Sequence, residues 1–109
     1  MSNSIIEINP KNFGATISKG TVLVDFWAPW CMPCLMQGPI LETVAQKIGN
    51  GAIIAKINVE SYPELAQQFS IEGIPTLLLF KDGELAERLT GVQNEHILLH
   101  TLQRFSVTS

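Results

Sequence analysis

Several things are scarce in this sequence, and each scarcity excludes something. Only two of the 109 residues are cysteine and two are histidine. A structural zinc ion normally takes four ligands, and a set drawn from sulfur and imidazole would need Cys31, Cys34, His96 and His100 all at once. Charge is sparse too. Seven Lys and Arg stand against ten Asp and Glu, a net charge of −3, and charged residues make up 16 % of the chain. No basic cluster is present, which argues against nucleic acid as a partner. Hydrophobic residues reach 46 %, yet no apolar run approaches the ~20 residues that would cross a bilayer, so no membrane span is expected. The start, Met1-Ser2-Asn3-Ser4, lacks a basic region followed by an apolar run, so no secretory signal is expected. Repeats, linkers and low-complexity stretches are absent. What is left is one domain over 1–109, long enough to bury roughly 60–70 % of its unfolded surface around one core.

The hydrophobic pattern then gives the elements. Ile5 to Ile8 is a short β-like run. Asn9 and Pro10 suit a helix N-cap and first position, and that helix should run to about Ser18 and stop at Gly20. Val22 to Trp27 is apolar nearly throughout, as in a strand covered on both faces. Met36, Ile40, Val44 and Ile48 have helical spacing, with Pro39 inside and Gly49-Asn50-Gly51 as the stop. Ala52 to Val59 is another central strand, carrying one charge, Lys56. Ser61 and Glu64 have capping-box spacing before a short helix that ends near Phe69. Leu77 to Phe80 and Leu85 to Leu89 flank an Asp82-Gly83 hairpin turn. Asn94 caps a last helix whose apolar face is Ile97, Leu98, Leu102 and Phe105. The order β-α-β-α-β-α-β-β-α makes an α/β fold, with three parallel strands, a terminal antiparallel hairpin and helices on both faces.

Both cysteines fall in one stretch, Trp30-Cys31-Met32-Pro33-Cys34, where the strand ending at Trp27 meets the helix. A thiolate at Cys31 would face unpaired backbone N–H groups and the positive end of the helix dipole, which favours the charged sulfur. Cys34, one turn on, can reach it. Taken alone, the spacing fits half a zinc site, a cluster shared between subunits, a structural disulfide or a redox pair. A disulfide over so short a loop constrains the unfolded chain little, and Cys-x-x-Cys beside a βαβ pattern favours a reversible dithiol couple.

Asp25-Phe26-Trp27-Ala28-Pro29-Trp30-Cys31, Pro33-Cys34, Pro39, Lys56, Ile74-Pro75-Thr76, Lys81-Asp82-Gly83 and Gly91 together make the chain closely similar to the thioredoxin family, from about Ile5 to Phe105. The resemblance implies a five-stranded mixed sheet in the order 1-3-2-4-5 with four helices. It implies a protein-disulfide reductase in which Cys31 is the exposed nucleophile and Cys34 the buried resolving thiol. Pro75 would be cis and present the Ile74 backbone, and Trp30, Met32, Pro33, Ile74, Pro75, Gly91 and Val92 would bind substrate. No bound cofactor is implied. NADPH would act only through a thioredoxin reductase, the partners would be that reductase and protein disulfides, and the protein would be a cytoplasmic monomer.

Two further residues carry a physical argument of their own. Asp25 lies in an apolar strand, so burial should raise its pKa and fit it to take the Cys34 proton. Lys56, in the neighbouring strand, is its natural partner; a buried ion pair with no catalytic role is the plainer alternative. His96 and His100 lie one helical turn apart, and a solvated or half-buried helix face is their expected place. The chain also departs from the family pattern. Met32 stands where Gly is usual, Leu35 where Lys is common and Gly38 where Ala is common. Met32 and Leu35 make the rim of the site more apolar. A disulfide oxidase or isomerase, a non-enzymatic scaffold, and a metal- or cluster-bridging dimer stand as alternatives.

Overall fold

The computed structural model describes residues 5–106; the reading of Met1–Ser4 lies outside them. The elements are β1 (Ile6–Glu7), α1 (Phe13–Ile17), β2 (Thr21–Trp27), α2 (Met32–Ile48), β3 (Ile53–Asn58), α3 (Pro63–Gln68), β4 (Thr76–Lys81), β5 (Glu84–Thr90) and α4 (Glu95–Ser106). One sheet joins the strands in the order β1-β3-β2-β4-β5. β1 and β2 run parallel to β3, while β4 is antiparallel to both β2 and β5. This is the expected mixed sheet.

β2 is the centre of the sheet because both of its faces are apolar. Val22, Val24 and Phe26 pack with Ile17, Leu65, Leu78 and Phe80, on the side covered by α1 and α3. Leu23 packs the other way, against Leu41, Val44 and Ala45 of α2 and Leu98 and Leu102 of α4. Each of these large side chains stabilises the fold by roughly 1.5–3 kcal/mol through burial. Side chains alternate along a strand, so Asp25 shares the face of Leu23, under α2. Its register neighbours are Lys56 on β3 and Leu77 on β4. The hairpin turn forms at Asp82 and Gly83, both at positive φ (51° and 88°), as a two-residue hairpin of the Asp-Gly kind requires.

Four local expectations are corrected. First, α1 is shorter than expected. Asn9 caps the turn ahead of it, its Oδ1 accepting from the Lys11 and Asn12 N–H groups. Second, no capping box forms at α3. Pro63 is the first helical residue, so the N-cap falls on Tyr62, which makes no side-chain capping bond. Third, the inward stripe of α2 is Cys34, Gln37, Leu41, Val44 and Ala45, with Ile40 and Ile48 half-buried at its edge and Met36 exposed. At about 100° per residue, Met36 lies some 200° from Cys34 and cannot share its face. Fourth, Ile97 is exposed while Leu98 and Leu102 are buried. The α2 helix passes through Pro39 without ending. Asn94 caps α4 as expected, its Oδ1 accepting the Ile97 N–H at 2.8 Å. Among the described residues no helix is long and apolar enough to cross a membrane.

Candidate active site

Four residues separate the end of β2 from the start of α2, and the last of them is Cys31. It occupies the N-cap of α2 with extended backbone (φ −94°, ψ 109°), and its Sγ accepts the Cys34 N–H at 3.2 Å. A sulfur therefore stands where a Ser or Asp oxygen usually satisfies a helix's first N–H groups. Pro33 sits in the first turn, where its missing N–H leaves no bond unmade. Cys31 and Cys34 form a disulfide, with Cα atoms 5.2 Å apart. The expected contrast between an exposed and a buried thiol is slight in this disulfide form. Cys31 is 6 % exposed and Cys34 3 %, and both pack among Trp27, Ala28, Val59 and Ile74.

The strand entering β4 faces the disulfide from across the site. The Ile74–Pro75 peptide bond is cis, and the Ile74 carbonyl oxygen lies 3.7 Å from Cys31 Sγ. Pro75 itself is buried, so it adds little to the solvent-open surface. Its carbonyl accepts the Gly91 N–H at 2.8 Å. Gly91 has φ +80°, a left-handed conformation that suits glycine. Gly91 thus ends β5 and also ties that end to the site. Around the disulfide an apolar surface is open to solvent. Trp30 and Met32 are each 68 % exposed, Leu35, Met36 and Val92 are exposed, and Pro33 and Gly91 complete the rim. Ile74 is half-buried between them.

Asp25 is buried, and its Oδ1 has no hydrogen-bond partner. Burial pushes its carboxyl up from the ordinary 3.8 to about 7, partly offset by the Lys56 charge. The expected contact between the two is corrected. No ion pair joins them among the described residues, and Lys56 Nζ instead sits 4.8 Å from the centroid of the Trp27 ring. Lys56 is only half-buried, and a hydrated ammonium on a flexible stem is better placed at the surface over an aromatic face than drawn into the sheet. It therefore acts on Asp25 through space. His96 and His100 lie exposed on α4.

Sequence reasoning passed over Gln37, which is fully buried in the inward stripe of α2 one turn after Cys34. Its Oε1 accepts the Gln93 N–H at 2.7 Å and its Nε2 donates to the Gln93 carbonyl at 2.9 Å. Helical spacing from Cys34 was the available signal: a residue at i+3 from a buried one shares its face.

Comparison with known proteins agrees with this geometry. The Thioredoxin family model matches residues 4–104. A thioredoxin of Bacillus subtilis is 42 % identical over 95 residues, 87 % of this chain and 91 % of its own. One from Chlamydia caviae is 36 % identical over 99 residues, 91 % and 96 % of the two chains. Among solved structures, a mutant thioredoxin from Halobacterium salinarum superposes with a TM-score of 0.88 at 34 % identity, covering 95 % of this chain and 92 % of that one. A redox disulfide at a helix N-cap, facing a cis X-Pro loop on this sheet, and relatives matched over nearly their whole length lead to one conclusion: the chain belongs to the thioredoxin family and is a thiol–disulfide oxidoreductase acting on protein disulfides.

Proposed function

We propose that Cys31 is the nucleophile and Cys34 the resolving thiol of a protein-disulfide reductase located in the cytoplasm. In the first half-reaction the Cys31 thiolate attacks one sulfur of a substrate disulfide. The substrate S–S bond breaks, a Cys31–substrate disulfide forms, and the other substrate sulfur leaves as a thiolate that takes up a proton. In the second, Cys34 gives its proton to the Asp25 carboxylate and attacks Cys31 Sγ. The second substrate sulfur leaves, and the protein ends with the Cys31–Cys34 disulfide. Two electrons have passed to the substrate. An NADPH-dependent thioredoxin reductase supplies two further electrons, which reduce the Cys31–Cys34 disulfide back to the dithiol, and no cofactor is held by this chain.

The observation that carries the assignment is the Cys31 sulfur at the helix N-cap, already accepting the Cys34 N–H. The same N–H and the helix dipole favour a thiolate there once the disulfide opens. The Asp25 role is supported by its place on the α2 face of β2 and by a carboxyl pushed up to about 7, which can both accept and release a proton near neutrality. Substrate docking over Trp30, Met32, Pro33, Ile74, Gly91 and Val92 is supported by the exposure of all but the half-buried Ile74, whose carbonyl oxygen lies 3.7 Å from Cys31 Sγ. Met32 and Leu35 extend that surface and bias it toward apolar disulfide segments.

The test is trapping. Cys34→Ser should accumulate a mixed disulfide with a protein substrate at Cys31, visible by mass spectrometry, while Cys31→Ser should form none and lose turnover entirely. A Cys31→Ser protein that keeps its cellular role would favour the scaffold reading. The equilibrium potential of the couple, followed by Trp27 and Trp30 fluorescence in thiol buffers, separates a reductase from an oxidase or isomerase.

A further inference from the structure

The buried carboxamide of Gln37 meets a single peptide unit on both sides, since the Gln93 N–H donates to it and the Gln93 carbonyl accepts from it. It pairs with residue 93 as a neighbouring strand would, just beyond the last residue of β5. The Gln93 side chain turns back along its own loop, its Nε2 donating to the Thr90 carbonyl at 2.9 Å and the Gly91 carbonyl at 3.2 Å. Gly91 in turn donates its N–H to the Pro75 carbonyl. The loop carrying Gly91 and Val92 is thus fastened to α2 on one side and to the cis-proline segment on the other. Burying a carboxamide is unfavourable unless its groups are bonded. A carboxamide whose oxygen and nitrogen are both bonded to backbone fixes geometry that an apolar side chain of the same size would leave loose.

From this geometry we infer that Gln37 is a positioning residue for protein-disulfide substrates. It sets the Gly91–Val92 lip at a fixed place relative to the helix that bears the thiols, and so defines the far edge of the surface on which a polypeptide lies. The inference rests on the docking reading given above. It concerns substrates that span the site and reach the lip. A small disulfide that touches only the sulfurs should not register it.

The test is a comparison of substrates in the Gln37→Met protein, which keeps the side chain's length and apolar bulk and makes neither bond. With a protein disulfide, KM should rise about 3- to 10-fold, the effect of losing one or two net hydrogen bonds. The kcat, the redox potential and the rate with a small aromatic disulfide should stay within about twofold, because no reacting atom is touched. The Gln93 amide should exchange with solvent faster by at least the same factor as the KM change. Gln37→Leu should behave alike, which guards against a folding defect peculiar to one variant. Val92→Ser serves as the reference for docking. If Val92→Ser raises KM and Gln37→Met does not, the positioning role is wrong while the docking reading stands. If neither moves KM, the docking reading fails and takes the inference with it. A loss with small and protein disulfides alike, or a shifted potential, would show that Gln37 acts on the thiols or on the fold, and would also overturn it.

Discussion

Two buried polar side chains lie on the elements on either side of the cysteine loop, Asp25 on β2 and Gln37 on α2, and they are opposite in kind. Asp25 comes up from β2 with one carboxyl oxygen unpartnered and its pKa pushed to about 7. Gln37 comes down from α2 with both amide atoms bonded to the backbone of Gln93. Both are almost completely removed from solvent. A buried polar group left unsatisfied is held at an energetic disadvantage, and that disadvantage is what allows Asp25 to change protonation state near neutral pH. A carboxamide does not titrate, and one with both its oxygen and its nitrogen bonded to backbone is held in place, which suits it to hold a loop. The difference matches the two roles proposed above, proton handling for Asp25 and substrate positioning for Gln37.

The largest effect is expected where the comparison is broken outright, by giving position 25 the carboxamide that position 37 already has. In the folded protein Asp25 holds its proton up to about 7, against an ordinary value of 3.8. Between those values the folded state binds a proton that the unfolded state has released, so wild-type stability falls as pH rises through that window and levels off above it. Asp25→Asn removes this dependence. Relative to wild type, its stability should improve by roughly 4 kcal/mol between about pH 4 and about pH 8, measured by urea unfolding at each pH. With Cys34 intact, its release of substrate from the Cys31 mixed disulfide should slow at the same time. A stability difference that stays constant with pH would show that Asp25 does not titrate as its burial requires.

The strands and the thiols were legible in the sequence because their signals are local. The two-faced apolar run of β2, the Asp82-Gly83 turn and the Cys-x-x-Cys spacing each lie within a few residues. Asp25 was legible because a charge in such a run has few outlets. Gln37 was missed because its partner lies 56 residues away, and no local pattern announces a carboxamide paired with a distant peptide unit. The Lys56 contact was misjudged for a related reason. Register places Lys56 directly beside Asp25, but register fixes Cα positions, and a long flexible side chain is free to end over Trp27. Pro75 and Met36 show the same limit. Family likeness or helical spacing put them in plausible sets, and which face each turned to solvent was decided by packing.

Breaking the comparison from the other side should have a smaller effect. Gln37→Glu puts a carboxylate where a carboxamide bridged two groups. The Gln93 N–H can still donate to it, but the Gln93 carbonyl then faces an acceptor. Burial raises the pKa of such a carboxyl, and once protonated its O–H can donate to that carbonyl and restore both bonds. Stability should be lower than wild type by about 2–3 kcal/mol at alkaline pH, the penalty of an unsatisfied buried acceptor. Much of it should return as pH is lowered. A loss independent of pH would mean that the site relaxes away from the Gln93 backbone and that the pairing is not what fixes the loop.

The smallest effect sharpens the comparison without breaking it. Lys56 stabilises the ionised form of Asp25, opposing the larger desolvation that raises its pKa. It does so without touching the carboxylate, from a half-buried position over the Trp27 ring. Lys56→Met keeps the apolar stem and removes the charge. The Asp25 titration midpoint, followed by carboxyl-carbon NMR, should then rise above about 7. The change should be on the order of half a unit to one unit, as suits a pair separated by more than a contact distance. Added salt should move the wild-type midpoint toward that of the variant, because a through-space interaction reaching the surface is screened. Exchange of the Gln93 amide should not change, since Lys56 makes no bond in the Gln37 clamp. A midpoint that stays put or falls in Lys56→Met would mean that the ammonium's field does not reach Asp25, leaving desolvation alone to set its proton affinity and Lys56 as packing for Trp27.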